Sequence, residues 1–260
     1  MKNIRLIVIF LSFVGFLKSQ NMHSGAMNGI NDCAPKTISL AIHIVNDSLF
    51  ERNLPDLIYQ RDIDSLNVHF APICIQFKIC EVNDIPHNRW ETMIKGERDE
   101  EIADMYNRPN MVNIFYSQTI EGGAAGFAPL GDTIVPPISE MRDAIFLQKG
   151  SGKNTIIHEF GHYFGLSHTF ETDNGVELAD GSNCETAGDK ICDTPADDNS
   201  GTVNRFCEFE MINTDANGDY YTPDICNQMG YYSVCSYKRF TIGQYNRMLE
   251  VALKGRSYLW

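Results

Sequence analysis

The chain has 260 residues, a length that fits one large domain or two small ones and that can bury a substantial core. Its formal net charge is −13, from 21 basic and 34 acidic residues, so nucleic acid and anionic membrane surfaces would repel it. Cationic substrates or bound cations suit this charge better, although a solvated acidic surface is its ordinary explanation.

The first 19 residues have the pattern of a secretory signal peptide. Lys2 and Arg5 supply a basic start, residues 6–17 are almost entirely apolar, and the segment ends on small and polar residues at Ser19. The apolar run is too short to span a bilayer comfortably, which argues against a membrane anchor. We therefore expect cleavage after Ser19, a short leader over residues 20–36, secretion, and no membrane association once the signal is removed.

Hydrophobic periodicity divides the next part of the chain into alternating strands and helices. Strands are predicted at residues 38–45, 73–82, 111–116 and 143–147, and helices at residues 54–70 and 101–106, with residues 83–100 as loop. Residues 122–129 (GGAAGFAP) lie between two strands and form either an exposed edge strand that pairs with an extended peptide or a flexible glycine loop. This order indicates an α+β or α/β sheet packed on the helix that follows.

A group of histidines follows at residues 158–168, which read HEFGHYFGLSH. His158 and His162 are four residues apart and therefore share one face of a helix. His168 would point away from that face if the helix continued, so the helix must end before it. Gly165 can end it, because glycine adopts the left-handed conformation without a Cβ penalty. These positions predict three metal ligands on a helix and on the turn after it.

The same helix is expected to be buried and capped. Ile157, Phe160 and Phe164 form an apolar stripe beside the predicted ligands. Either Ser151 or Asn154 can cap the start of the helix, because both side chains accept backbone hydrogen bonds.

Three neutral imidazoles with a vacant fourth position are typical of a catalytic zinc site rather than of a closed structural one. Zinc lowers the pKa of a bound water to roughly 7 and polarises a carbonyl group. Glu159 is placed near the metal without being aimed at it. We expect its carboxylate to accept the proton of the water as a general base and to return it as a general acid.

The pattern H-E-x-x-H-x-x-G-x-x-H resembles the zinc signature of the metzincin metallopeptidases. Further motifs resemble the pappalysin-like metzincins, the cytophagalysin and ulilysin group: they are residues 168–171 (HTFE), 188–196 (GDKICDTPA), 226–231 (CNQMGY) and 239–248 (RFTIGQYNRM). The resemblance implies an α+β metzincin fold. It implies a twisted five-stranded mixed sheet with the active-site helix above the cleft, and an irregular, disulfide-stapled lower part ending in a helix, which periodicity places at residues 241–253.

On this basis we expect one catalytic domain over residues 37–260, with an upper part at 37–165 and a lower part at 166–260. The resemblance makes Met229 the methionine of the turn beneath the metal and Tyr231 a catalytic tyrosine near it. It also favours the edge-strand interpretation, so that the substrate would pair with residues Gly123, Ala124, Ala125 and Gly126.

The resemblance further implies structural calcium and disulfides in the lower part. Candidate calcium ligands are Asp180, Asp189 and Asp193, while residues 215–219 (DANGD) are either a calcium loop without its usual glutamate or a solvated acidic turn.

Eight cysteines in an exported chain indicate disulfides, and the resemblance implies Cys207 with Cys235 and, less strongly, Cys184 with Cys192. A bridge between Cys74 and Cys80 is excluded, because both lie in one predicted strand about 20 Å apart. Cys33 is either a thiolate that keeps the zinc latent or half of an ordinary disulfide.

The function implied by the resemblance is that of a secreted zinc endopeptidase that acts on proteins or peptides. The first alternative is a catalytically idle relative that only binds peptides, and Glu159 argues against it because binding alone needs no base. The second is a zinc hydrolase of a non-peptide amide, which the glycine-rich edge segment disfavours.

Overall fold

The fold is described from a computed structural model, for residues 33–86, 88–130, 144–204, 206, 208–233, 235 and 237–260. The predicted signal peptide, most of the predicted leader, Asp143 and Cys207 lie outside these residues. Within the described part of the chain, no helix is long and apolar enough to cross a membrane.

A mixed sheet of five strands forms the main layer of the fold. Its members are β1 (Lys36–Val45), β2 (Ile75–Ile85), β4 (Val112–Ser117), β6 (Gly126–Phe127) and β7 (Ala144–Gln148). The strand order is β2-β1-β4-β7-β6, and every neighbouring pair is parallel except β6 with β7, which is antiparallel. The predicted five-stranded mixed sheet is confirmed, and β6 lies at its edge.

Four α-helices and two small sheets accompany this sheet in the described part of the chain. The helices are α1 (Asp56–Phe70), α2 (Arg98–Tyr106), α3 (Lys153–Tyr163) and α4 (Ile242–Gly255). The small sheets pair β3 (Thr92–Met93) with β5 (Thr119–Ile120), and β8 (Thr202–Val203) with β9 (Phe209–Glu210). The α+β class is confirmed.

The predicted loop at residues 83–100 is wrong at both ends. Strand β2 continues to Ile85, and Asn83 and Asp84 pair with residues of β1. These polar residues fit a strand because β2 is an outer strand with a partner on one side only. Helix α2 begins at Arg98, three residues before the predicted start at Glu101.

One apolar core joins the sheet to the metal-site helix. Phe160 of α3 packs against Phe77 of β2 with ring centroids 4.8 Å apart and against Phe70 of α1 at 6.1 Å. Met229 and Phe240, from beyond the sheet, belong to the same cluster of buried residues. The core therefore fixes α3 between the sheet and the chain that follows the histidines.

The closing helix α4 starts with a complete capping box. The Thr241 hydroxyl accepts a hydrogen bond from the Gln244 backbone N–H, and the Gln244 side chain accepts one from the Thr241 backbone. The Asp193 carboxylate adds two contacts, from the Thr241 hydroxyl at 2.8 Å and from the Gly243 backbone N–H at 2.7 Å. Asp193, a predicted calcium ligand, thus also holds the start of a helix.

Three disulfides cross-link the described residues. They join Cys33 to Cys74, Cys184 to Cys192, and Cys226 to Cys235. The pairing of Cys184 with Cys192 is as the resemblance implied. The predicted pairing of Cys207 with Cys235 is wrong, because Cys226 and Cys235 flank one loop whose ends come within 5.4 Å at their Cα atoms.

Two further expectations about cysteines are decided by these bonds. Cys33 is not a latency thiolate, because its sulfur is bonded to Cys74. Cys80 is exposed and free, in agreement with the excluded bridge to Cys74.

Candidate active site

His158, His162 and His168 bring their Nε2 atoms to one point. The Nε2 of His162 lies 3.1 Å from that of each of the other two, which are 3.3 Å apart. Tetrahedral zinc with bonds of about 2.0–2.1 Å separates its ligand nitrogens by roughly 3.3–3.4 Å, so the three atoms fit one face of that tetrahedron. Within the described residues, this is the one group of three or more His, Cys, Asp or Glu side chains that is tight enough to hold a metal ion, and it contains no fourth such ligand.

Hydrogen bonds to the backbone orient two of these rings. His158 Nδ1 donates to the Gln228 carbonyl at 2.8 Å, and His162 Nδ1 donates to the Leu166 carbonyl at 2.7 Å. Because a carbonyl oxygen only accepts, each Nδ1 carries the proton and each Nε2 presents its lone pair to the metal. The two rings are therefore held in the tautomer that a zinc ligand needs.

Burial favours the neutral form of the imidazole rings, and the third ring is held by stacking. His168 stacks on Phe170 with ring centroids 4.7 Å apart and planes 6° from parallel. Burial, reinforced by the neighbouring His162, lowers the pKa of His158 to about 3 and that of His168 to about 4. Neutral imidazoles leave their lone pairs free for a cation.

The turn that brings His168 back is built on Gly165. This residue has φ of +85°, the left-handed conformation that was predicted for it. Its N–H donates to the His162 carbonyl at 2.9 Å, and the Leu166 N–H donates to the Gly161 carbonyl at 2.9 Å. This pair of bonds is the Schellman motif, which ends α3 and reverses the chain.

The start of α3 differs from the prediction. Gly152 occupies the N-cap position, and no side chain accepts a hydrogen bond there, so neither Ser151 nor Asn154 is the cap. Asn154 already lies in the first turn, and its carbonyl accepts from the Gln228 side chain at 2.6 Å. This contact ties the first turn of α3 to the chain that follows the histidines.

Glu159 is buried beside the three histidines. Its side chain is 5% exposed, and burial raises its pKa to about 8, while the charge of Lys95 opposes the shift. Gly126 of β6 packs directly on it, since a Cβ on that glycine would come within 3.0 Å of Glu159 Cγ and of the Thr155 side chain. A larger residue in the edge strand would push the strand away from the carboxylate.

Met229 lies directly beneath α3. It is completely buried, and a Cβ on Gly161 would come within 2.5 Å of its sulfur. Gly161 stands between the two ligands of the helix, so its missing side chain is what allows the methionine to approach. The sequence reasoning placed Met229 beneath the metal but gave no role to Gly161, a glycine inside a helix that signals close packing.

Tyr231 stands at the opening of the site. Its ring centroid lies 4.8 Å from that of His168 and 5.9 Å from that of His158. The side chain is half exposed, and burial together with the charge of Glu159 raises its pKa. The hydroxyl is therefore protonated at neutral pH.

Two adjoining cavities form a cleft past the histidines. The first, of about 550 Å³, runs between α2, β6 and the turn after α3 and contains Lys95, Asp99 and Glu171. The second, of about 440 Å³, lies between the edge segment and the chain after Met229. His158, Glu159, Tyr231 and Gly126 line both cavities. An extended chain lying along the cleft would pass Glu159 at its middle.

The predicted substrate-binding residues are only partly at this cleft. Ala124, Ala125 and Gly126 line the second cavity. Gly126 belongs to β6, and the Ala125 carbonyl accepts from the Gln148 backbone. Gly123 lies in the helical turn before them, with φ of +77°, and lines neither cavity. The strand character of the edge segment is thus limited to its second half.

The remaining acidic candidates are scattered. Asp180 is exposed and accepts from the Ser182 backbone, whereas Asp189 is buried and accepts from Ile191 and Thr194. Asp215 uses its carboxylate to bind the backbone of its own turn, which agrees with the acidic-turn interpretation. Calcium stays a prediction.

Comparison with known proteins decides the family. Residues 97–253, more than half of the chain, match the peptidase M43 family, described as pregnancy-associated plasma protein-A. The chain belongs to the pappalysin family of metzincins. Its three converging histidines are those of a zinc metallopeptidase.

Similar proteins agree with this assignment. An extracellular metalloprotease of Arthroderma benhamiae is 26% identical over 82% of this chain and 76% of its own length. One of Pyricularia oryzae is 26% identical over 85% and 76%. In structure, the chain resembles mirolysin in complex with compound 9 (TM-score 0.62, 18% identity, 88% of this chain and 96% of that one). It also resembles mature mirolysin of Tannerella forsythia in complex with a cleaved peptide (TM-score 0.60, 18% identity, 84% and 91%).

Proposed function

We propose that this pappalysin is a secreted zinc endopeptidase in which Glu159 acts first as general base and then as general acid. The observation that carries the proposal is a buried carboxylate next to three converging imidazole nitrogens, in the middle of an open cleft. Zinc bound there would polarise the scissile carbonyl and acidify water. Glu159 would accept a proton from the attacking water and donate it to the leaving amine nitrogen.

The Glu159→Gln variant tests this role. We expect activity on a denatured protein substrate to fall by about 10²–10⁴-fold, because the amide cannot take up a proton. Zinc content should stay at one ion per chain, since the amide is no ligand. Glu185→Gln, which removes an exposed carboxylate, serves as the control. An unchanged rate in Glu159→Gln would contradict the role of Glu159 as general base. A wild-type protein that binds peptides but never cleaves them would favour the alternative of a catalytically idle, peptide-binding relative.

Tyr231 is proposed to donate a hydrogen bond to the oxygen of the tetrahedral intermediate. Its position beside His158 and His168 and its raised pKa support a protonated hydroxyl at that point. Tyr231→Phe should lower kcat by roughly 10²–10³-fold with little change in KM, because the contact is made in the transition state. A change confined to KM would assign Tyr231 to substrate binding.

The substrate is proposed to pair with the edge segment, as an added strand beside β6. The exposed side of this edge faces the cleft, and Gly126 keeps it in contact with Glu159. Gly126→Val should raise KM and lower kcat together, because the new side chain meets Leu147, Thr155 and Glu159. Gly123→Ala, outside the cavities, is the comparison variant and should act on stability alone. Equal catalytic losses in both variants would contradict the pairing.

Secretion is proposed from the predicted signal and from the cross-links. Three disulfides in the described residues are typical of proteins that mature in an oxidising compartment. Sequencing the N-terminus of the exported protein should find Gln20 first. Retention of the chain in the cytoplasm with reduced cysteines would contradict the proposal.

Structural calcium stays a proposal for the lower part; of its predicted ligands Asp180, Asp189 and Asp193, we propose Asp189, together with the neighbouring buried Glu177, which was not predicted. Burial raises the pKa of both carboxyl groups to about 7, and Glu177 Oε1 is buried without a hydrogen-bond partner. A calcium ion would satisfy both groups. Titrating chelator-treated protein with calcium should raise its Tm, and Glu177→Gln should reduce this rise. A Tm that does not respond to calcium would dismiss the site.

A further inference from the structure

The second cavity of the cleft contains an unusual lysine. Among the described residues, four titratable side chains line it: Lys238, Tyr231, Glu159 and the predicted metal ligand His158. Its other walls are small or neutral and polar: Ala124, Ala125, Gly126, Asn154, Thr155, Gln228 and Gly230. Lys238 is therefore the one lysine or arginine that the described residues contribute to this pocket, which opens beside the predicted metal ligands and also contains the carboxyl group of Glu159.

Lys238 is buried and has no carboxylate partner among the described residues. Lys238 is 9% exposed, and its Nζ donates a hydrogen bond to the Gly230 carbonyl at 2.7 Å. Burial lowers the pKa of Lys238, and no neighbouring acid offsets this effect. An ammonium group has three donors, so two remain for a group that enters the pocket.

The backbone around Lys238 is held rigidly. The Lys238 carbonyl accepts from His69 Nε2 of α1 at 3.2 Å. The next residue, Arg239, exchanges backbone hydrogen bonds with Cys226 and Gln228, at 2.9 and 2.8 Å. Gln228 is also the residue whose carbonyl orients His158. The ammonium is thus fixed relative to the metal ligands, as a group that selects substrates needs to be.

We propose that Lys238 selects an acidic substrate side chain at one of the two positions that flank the scissile bond. The proposal rests on the endopeptidase function proposed above. A carboxylate entering the second cavity would gain a charge-assisted hydrogen bond with a desolvated ammonium. A lysine or arginine side chain there would meet a buried like charge and be rejected.

The first cavity lacks this bias. It contains Lys95 at its exposed rim, but also the acidic residues Asp99, Glu100 and Glu171. The acidic preference should therefore appear at one flanking position and not at both. Because the chain as a whole carries a net charge of −13, it should repel acidic peptides in general. The local preference for an acidic side chain acts against this repulsion.

Cleavage of a peptide library, mapped by mass spectrometry, tests the proposal. In the wild-type enzyme, we expect glutamate or aspartate to be enriched over lysine by about tenfold or more at one flanking position. Lys238→Met keeps the length of the side chain and should abolish this ratio, and Lys238→Glu should invert it. Lys95→Met removes a cation from the first cavity and should leave the ratio at that position unchanged. A neutral or basic preference in the wild type would overturn the proposal, whether or not the variants fold.

Binding provides a readout that does not need turnover. Zinc-loaded Glu159→Gln should bind a peptide with glutamate at the selected position at least about tenfold more tightly than its lysine counterpart, as measured by fluorescence anisotropy. Equal affinities would overturn the role of Lys238. Glutamate-selective binding without any cleavage by the wild type would instead remove the endopeptidase function and keep the selectivity.

Discussion

The sheet region and the irregular segment (residues 169–240) support the active site by different means. In the sheet region, strands and α3 bury apolar side chains in a common core. Within the described part of the irregular segment, the named strands are β8 and β9, of two residues each. Its order comes from two disulfides and from carboxylates that accept backbone N–H groups, such as Asp197 and Asp215.

The difference matters because the predicted zinc ligands come from both sides. His158 and His162 belong to α3, which the core holds, whereas His168 leads directly into the irregular segment. Apolar burial holds the helix of the first two, whereas the ring of the third stacks on Phe170, and the next residue, Thr169, donates a hydrogen bond to Asp197. Mutations in the two regions should therefore have different effects. Those in the irregular segment should change zinc affinity more than those in the sheet region.

The largest expected effect comes from the core that both regions share. Phe160→Ala removes a buried ring that touches α1 and β2, and should lower the free energy of unfolding by about 3–5 kcal/mol. The midpoints of chemical denaturation, measured by fluorescence and by zinc release, should shift by the same amount. A shift seen in one signal alone would mean that the two regions unfold independently.

The second effect is local to the irregular segment. Replacing Cys226 and Cys235 by serine opens the loop that carries Met229 and Tyr231, and should cost about 2–3 kcal/mol. Zinc affinity and kcat should also fall in this double variant. The matched control replaces Cys33 and Cys74, which lie away from the histidines, and should lower the Tm but leave zinc affinity intact. Equal loss of zinc in both double variants would contradict the division of roles.

The third effect concerns acid stability in the sheet. Burial lowers the pKa of His43 to about 4, although the hydrogen bond that its Nε2 donates to Asn113 Oδ1 opposes the shift. Neutral His43 thus favours the folded state above its unfolded pKa of about 6.5, and this contribution is lost as pH falls toward 4.

By pH 5 the loss should be about 2 kcal/mol in wild type and absent in His43→Gln. Denaturation midpoints between pH 7 and 5 measure the difference. Parallel pH profiles for the two proteins would contradict the assignment.

The smallest effect tests a buried link within the irregular segment. Asp197 accepts from the hydroxyls of Thr169 and Tyr232, each at 2.8 Å, and so joins the residue after His168 to the residue after Tyr231. Asp197→Asn should cost about 1–2 kcal/mol and weaken zinc binding. The exposed Asp173→Asn is the control and should match wild type. Unchanged zinc affinity in Asp197→Asn would leave this link a purely structural role.

Sequence patterns predicted what depends on local spacing. The interval between His158 and His162 and the glycine at position 165 were sufficient for the metal site, because helix geometry alone relates them. Apolar periodicity likewise located α1, α4 and most strands. The motif resemblance added the position of Met229, which local spacing could not have supplied.

The contacts that escaped prediction join distant parts of the chain. The Cys226–Cys235 bond, the approach of Gly126 to Glu159, and the capping of α4 by Asp193 all depend on how separate segments pack. A cysteine or an aspartate carries no mark of its partner in a single sequence. Lys238 was missed for the same reason, since nothing local distinguishes it from a surface lysine.

The hydrogen bond from His158 to the Gln228 carbonyl links the order of synthesis to metal capture. All three histidines leave the ribosome about sixty residues before position 228, yet one of them acquires its orienting acceptor only afterwards. A nascent or truncated chain that stops short of this carbonyl contains every zinc ligand without their final arrangement. Formation of the complete metal site is therefore coupled to docking of the segment that carries Gln228, and a chain truncated before this residue should bind zinc more weakly than the full-length protein.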